Sequence, residues 1–89
     1  MDRDVIIEKV TEIFRNNFDD DDIVLTDETT AADIEDWDSL EHVNLVVAME
    51  KKFNLKFDMK AVGQLKNVGE MVDLIKEKLE NWTIINMMR

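Results

Sequence analysis

The stretch DIEDWDSLEHVNLVVAMEKKF, residues 33–53, decides where the strongest helix of this chain begins and which face it buries. Val46, Met49 and Phe53 recur at intervals of three and four residues, which is the spacing of one apolar helix face. Asp38 and Ser39 precede them, and both residue types accept hydrogen bonds from the free backbone amides of a helix start. The pattern therefore predicts a helix from Ser39 to Phe53.

Two registers are open for the start of this helix. If Ser39 is the cap, the third helical residue is His42; if Asp38 is the cap, that residue is Glu41, and Asp-x-x-Glu is a capping-box pattern. The second register is favoured, and it leaves Ser39 as the first helical residue. A phosphate attached there would lie at the positive end of the helix dipole. Spacing alone leaves Ser39 either a simple cap or a modified serine.

The rest of the chain is also helical in pattern. A first helix is predicted over residues 4–17, a short one over residues 59–64 after Asp58, and a last one after the capping-box pair Asn67 and Glu70. One face of the first helix is apolar until its last turn: Ile6, Val10, Ile13, Phe14 and Asn17. The buried stripe of the last helix is Val68, Met71, Val72, Ile75 and Leu79. We expect an all-α fold, a four-helix bundle of three longer helices and one short helix.

The organisation predicted from this pattern is one domain with a long internal connection. Residues 19–38 form a loop between the first and second helices, and its apolar residues suggest that it is held against the core. Residues 1–80 are assigned to the domain, and residues 81–89 to an apolar C-terminal tail. A chain of 89 residues suits a single compact domain.

Charge and composition restrict the possible partners. The net charge of -10 argues against nucleic acid or an anionic membrane surface and favours partners with basic patches. The absence of cysteine excludes disulfides and thiolate metal sites. No stretch approaches the roughly 20 apolar residues of a membrane span, and the N-terminus lacks the pattern of an export signal. A cytoplasmic monomer is expected.

Catalytic and metal sites have little support in the sequence. Ser39 and His42 are one helical turn apart, but no orienting acid or Gly-x-Ser-x-Gly turn accompanies them, so a small hydrolase ranks last and His42 is interpreted as a surface residue. The acidic run at residues 19–22 lacks the glycine and the closing glutamate of a calcium loop. We predict no enzymatic activity and no metal.

The Asp-Ser-Leu triplet at residues 38–40, together with NVGEMVDLIKEKL at residues 67–79, resembles the acyl carrier proteins. Asp-Ser-Leu at the start of the second helix is the hallmark of that family, and the second segment is similar to its last helix. The resemblance implies that Ser39 receives a 4′-phosphopantetheine arm from coenzyme A through a phosphopantetheinyl transferase. It also implies that the thiol of the arm carries acyl groups as thioesters, while partner enzymes do the chemistry.

The resemblance further implies that acyl ligases, synthases or transferases with basic docking patches contact the second helix. The expected contact residues are Asp38, Leu40, Glu41, Val43, Asn44, Val47 and Glu50. Val46, Met49, Phe53 and Ile75 are candidates to line a shelter for an acyl chain, although core packing explains them equally well.

Several residues depart from the pattern of fatty-acid-synthesis carriers. Asp36 and Trp37 stand where those carriers have a glycine and a small residue, and Asn44 stands where they have glutamate. Lys51 and Lys52 replace acids. We therefore expect a specialised stand-alone carrier and not the standard fatty-acid one. Its partner enzymes are expected to serve fatty-acid, polyketide or other specialised lipid biosynthesis. The alternatives are an aminoacyl or peptidyl carrier, and an unmodified acidic helical adaptor.

Overall fold

The computed structural model describes the backbone of residues 2–87 and the side chains of residues 2–81, and it is all-helical over that range. The helices are α1 (Arg3–Phe18), α2 (Ser39–Phe53), α3 (Met59–Gly63) and α4 (Val68–Met87), with one short 3-10 turn, Ala31–Asp33, between α1 and α2. The predicted bundle of three longer helices and one short helix is confirmed. The backbone of α4 continues into the predicted tail, whose side chains after residue 81 lie outside the described part.

The core forms where α1 packs against both α2 and α4. Phe14, Leu45 and Ile75 are completely buried at its centre, one from each of the three long helices. Burial of a side chain of this size stabilises a fold by roughly 1.5–3 kcal/mol. The four residues considered as a shelter for an acyl chain, Val46, Met49, Phe53 and Ile75, all belong to this core.

The loop between α1 and α2 is held to the bundle at both of its ends. Ile23, Leu25 and Trp37 are buried, and the Nε of Arg15 donates to the carbonyl of Ile23 at 2.9 Å. This anchoring confirms the expectation for Ile23, Leu25 and Trp37, whereas Val24 is exposed. It also explains how a connection of this length stays ordered beside α2.

The same loop starts helix α4. The backbone N–H groups of Val68 and Gly69 donate to the carbonyls of Thr29 and Asp27, each at 2.9 Å. These amides belong to the first turn of α4, where no carbonyl of the helix itself can accept their hydrogen bonds. The Asn67 side chain accepts from the Glu70 amide at 2.8 Å, as predicted, whereas Glu70 accepts from the Lys66 amide at 3.3 Å and not from Asn67.

Arg3 joins three elements around this loop. Its guanidinium donates to Asp27 at 2.8 and 3.0 Å, to Asp73 at 3.0 Å and to the carbonyl of Gly69 at 3.2 Å. The hydrogen bond to Asp27, and then the one to Asp73, raises the pKa of Arg3. Because the pKa of Arg3 is higher in the folded state, its charged form stabilises the fold fully at every pH below the pKa of the unfolded chain. This stabilisation is lost only as the pH rises through the pKa of the folded state. The Arg3 guanidinium therefore keeps its charge except in strong alkali.

The two glycines give a matched pair for a stability measurement. A Cβ at the buried Gly69 would lie 3.0 Å from both the Cβ and the carbonyl oxygen of Asp27, whereas a Cβ at Gly63 would meet nothing within 4 Å. Gly69→Ala is expected to destabilise the protein by about 1–2 kcal/mol, because overpacking against backbone outweighs the better helix propensity of alanine. Gly63→Ala is expected to stabilise it by about 0.5–1 kcal/mol. Urea unfolding measures both, and equal stability of the two variants would contradict the packing of α4 on the loop.

Candidate functional site

Asp38 is the N-cap of α2. Its Oδ1 accepts a hydrogen bond from the backbone N–H of Glu41 at 2.8 Å, and its carbonyl accepts from the amide of His42 at 2.9 Å. The predicted register of the helix, with Asp38 as the cap and Ser39 as the first helical residue, is therefore confirmed.

The reciprocal half of the predicted capping box is wrong. The Asp38 amide donates to the carbonyl of Asp36 at 3.1 Å, so it does not need the Glu41 side chain. The Glu41 carboxylate instead accepts from the side-chain amides of Asn17, at 2.8 Å, and Asn44, at 3.0 Å. The sequence spacing placed Asn17 on the same face of the first helix as its apolar residues. In the structure, this side chain connects the end of α1 to the start of α2.

The Ser39 side chain is exposed at the first position of α2. Among the described residues, no hydrogen bond involves its hydroxyl, because Asp38 supplies the cap. The orphan amides of the first turn and the helix dipole together favour negative charge near this position. The site can therefore hold a covalently attached phosphate without displacing any interaction that the helix start requires.

Trp37 and His42 form a hydrogen-bonded pair beside Ser39. The indole Nε1–H donates to Nδ1 of His42 at 3.2 Å, and the rings stack with centroids 5.9 Å apart. Because an indole N–H can only donate, Nδ1 is the acceptor, and we assign the proton to Nε2, which donates to the carbonyl of Val62 at 3.0 Å. His42 is therefore half-buried and hydrogen-bonded at both ring nitrogens, which its interpretation as a surface residue did not anticipate.

These hydrogen bonds also argue against a serine nucleophile. A general base must have a free nitrogen within reach of the serine hydroxyl. Both ring nitrogens of His42 are engaged, one with Trp37 and the other with Val62. The single histidine of the chain thus stabilises the packing of α3 against α2 and has no nitrogen left to activate Ser39.

An open cleft of about 460 Å³ lies next to Ser39, between the start of α2, the end of α3 and the start of α4. Its lining includes Trp37, Ser39, His42, Leu65, Lys66 and Met71. None of the four residues considered as candidates to shelter an acyl chain lines it, since they are in the core. Sequence reasoning missed Trp37 and His42 as wall residues, because the loop and helices that form this cleft meet only in the folded chain.

The residues predicted to contact partners divide into two groups. Leu40, Val43 and Val47 are 69, 42 and 41% exposed on one face of α2, and we call these three residues the apolar ridge. Asp38 and Asn44 are exposed beside it, whereas Glu41 and Glu50 are half-buried. The Glu50 carboxylate accepts from the Phe57 amide at 2.9 Å.

Other kinds of site find no support in the described structure. Over residues 2–81, no group of three or more acidic or histidine side chains is arranged to hold a metal ion. No described helix is both long and apolar enough to cross a membrane.

Comparison with known proteins decides the family. A family model described as "Phosphopantetheine attachment site" matches residues 6–75. The acyl carrier protein of Petrotoga mobilis is 34% identical over 79 residues, which cover 89% of this chain and 93% of the relative. The chain belongs to the acyl carrier protein family. It is a carrier and not an enzyme, and the cofactor of this family, 4′-phosphopantetheine, is attached covalently.

Solved structures agree with this assignment. A solution structure of the holo acyl carrier protein from Geobacter metallireducens has a TM-score of 0.82 and 47% identity, covering 88% of this carrier and 90% of that chain. A crystal structure of the acyl carrier protein from Thermotoga maritima has a TM-score of 0.80 and 26% identity, with 91% and 94% covered. The carrier thus shares both fold and sequence with proteins of this family.

Proposed function

We propose that Ser39 is the attachment site of the 4′-phosphopantetheine arm. The observation that carries this proposal is the exposed hydroxyl of Ser39, which no described residue engages, on a helix start that Asp38 already caps. Ser39 is also the only serine in the sequence, so a serine-linked arm has one possible position. The chain has no cysteine, and the bound arm would supply the thiol that holds acyl groups as thioesters.

The residues around Ser39 fit such a group. Asp38 holds the first turn of α2 in place, so the orphan amides and the helix dipole keep a fixed orientation toward the phosphate position. The hydrogen bonds of His42 to Trp37 and Val62 hold the walls of the adjacent cleft. We assign the carrier role to residues 1–80.

The partners that we infer are a phosphopantetheinyl transferase and acyl ligases, synthases or transferases of fatty-acid, polyketide or other specialised lipid biosynthesis. The apolar ridge would supply the buried contact, with Asp38 and Asn44 exposed at its edge. The hydrogen bonds of Glu41 and Glu50 inside the carrier limit their freedom to reorient toward a partner. Charge at this edge should speed encounter more than it raises affinity.

An aminoacyl or peptidyl cargo is the second candidate. The cleft beside Ser39 is lined not only by Trp37 and Met71 but also by the polar side chains of Asp38, Lys66 and Asn67. Ionic and amide groups of this kind could hydrogen-bond a polar cargo, which an entirely apolar cleft could not do.

Intact-mass measurement tests the proposal. We expect the full chain, incubated with coenzyme A and a broad-specificity phosphopantetheinyl transferase, to gain the mass of one arm, and a sample without coenzyme A to gain none. Loading the product with acyl or aminoacyl groups by purified ligases would then distinguish the two kinds of cargo. An unchanged mass with several active transferases would contradict the proposal and favour an unmodified helical adaptor.

A further inference from the structure

The basic side chains of this acidic carrier are concentrated in one stretch. Residues 51–66 contain five lysines and one acidic residue, Asp58, whereas residues 2–50 contain three basic and 16 acidic residues. The carboxylate of Asp58 caps α3 by accepting from the Lys60 amide at 3.0 Å. The stretch therefore carries positive charge in a protein whose net charge is -10.

Two hydrogen bonds place this stretch alongside α2. The Phe57 amide donates to Glu50, in the last turn of α2, and the Val62 carbonyl accepts from His42, in its first turn. The chain from Phe57 to Val62 thus returns along α2 from its end to its start, and Lys66 continues to the cleft beside Ser39.

The apolar ridge lies between this stretch and α1. The α1 side of α2 is marked by two contacts, from Glu41 to Asn17 and from Lys52 to Glu12 at 3.4 Å. Successive residues of an α-helix are rotated by about 100° around its axis. By this rotation, the ridge lies between two sides of α2. Glu41 and Lys52 mark the side toward α1, and His42 and Glu50 mark the side toward the returning stretch. A partner seated on the ridge would therefore have α1 and the acidic loop end on one side and residues 56–66 on the other.

The lysines on this side are available to a partner. Lys56, Lys60 and Lys66 are exposed, and none of them forms an ion pair with another described residue. Met59 lies between the first two and is 61% exposed. We call Lys56, Met59, Lys60 and Lys66 the basic flank. It combines an apolar side chain with surrounding positive charge, as a docking surface for an acidic protein would.

We propose that the basic flank contacts an acidic patch on a partner enzyme whose basic patch faces the acidic residues 19–22, which directly follow α1 on the other side of the ridge. This inference rests on the proposed carrier function, because it concerns enzymes that approach Ser39. The basic flank and the acidic residues across the ridge fix the orientation of docking. A partner rotated by half a turn would place like charges opposite each other on both sides. A uniformly anionic surface, such as a nucleic acid, fits less well because the rest of the carrier repels it.

Charged peptides probe the two sides of the ridge directly. In amide NMR spectra at low ionic strength, decaglutamate is expected to shift resonances of residues 56–66, and decalysine those of residues 19–41. The double variant Lys56→Glu/Lys60→Glu should weaken decaglutamate binding by about tenfold. Lys9→Glu/Lys78→Glu, on α1 and α4, changes the net charge equally and should leave that binding within about twofold.

Three outcomes would overturn the proposal. Decaglutamate could cause no localised shifts, or both double variants could weaken its binding equally. The third is that anionic phosphatidylglycerol vesicles sediment the wild-type carrier but not Lys56→Glu/Lys60→Glu, which would make the flank a membrane contact. Arm uptake by the same samples keeps the two proposals separate: a wild-type chain that gains no arm counts against Ser39, whatever the peptides show.

Discussion

Ser39→Ala is expected to abolish uptake of the 4′-phosphopantetheine arm while changing the free energy of unfolding by less than about 0.5 kcal/mol. The first effect follows because the variant contains no serine at all. The second follows because Ser39 is exposed and the cap hydrogen bond belongs to Asp38. Intact mass after incubation with coenzyme A and transferase measures the first effect, and urea unfolding measures the second.

Asp38→Ala is the matched counterpart of that variant. Loss of the cap should cost about 0.5–2 kcal/mol of stability, whereas Ser39 remains available for modification. Asp38→Asn separates the cap from the charge, because asparagine caps a helix as well as aspartate does. If Ser39→Ala proved more destabilising than Asp38→Ala, the serine would be the true cap and its hydroxyl would not be free.

The sequence predicted the helix starts well because their signals are local. The cap at Asp38 and the amide that it accepts lie three residues apart, and the same holds for Asn67 and Glu70. The limits of α2 followed from this cap and from the spacing of apolar residues. An exposed Ser39 at the first helical position was therefore predictable before any tertiary structure was known.

The contacts that position the site were not predictable in the same way. Asn17 reaches Glu41, and Arg3 reaches Asp73, across separations of 24 and 70 residues. Spacing identifies which face of a helix is apolar, but it does not identify which helix or loop covers that face. His42 was misinterpreted for this reason: its environment is formed by α3, which returns to α2 only after an intervening turn.

Trp37→Ala is expected to destabilise the protein by about 3–5 kcal/mol, the largest loss of stability among these variants. The indole is 9% exposed and packs edge-on against Phe14, with ring centroids 5.1 Å apart. Its removal leaves a cavity between the loop and α1, and His42 loses its hydrogen-bond donor. Urea unfolding followed by far-ultraviolet circular dichroism measures the loss without depending on tryptophan fluorescence.

A double-mutant cycle separates packing from hydrogen bonding in this pair. Trp37→Phe keeps an aromatic ring against Phe14 but leaves Nδ1 of His42 without its donor, so it should cost about 1–3 kcal/mol. His42→Ala should cost a similar amount, because the Trp37 indole and the Val62 carbonyl both lose a partner. In the double variant, a coupling of about 0.5–1.5 kcal/mol is expected. Additive losses would mean that the two rings stabilise the site independently. The geometry argues otherwise, since Trp37 holds the loop to the same histidine that holds α3 beside Ser39.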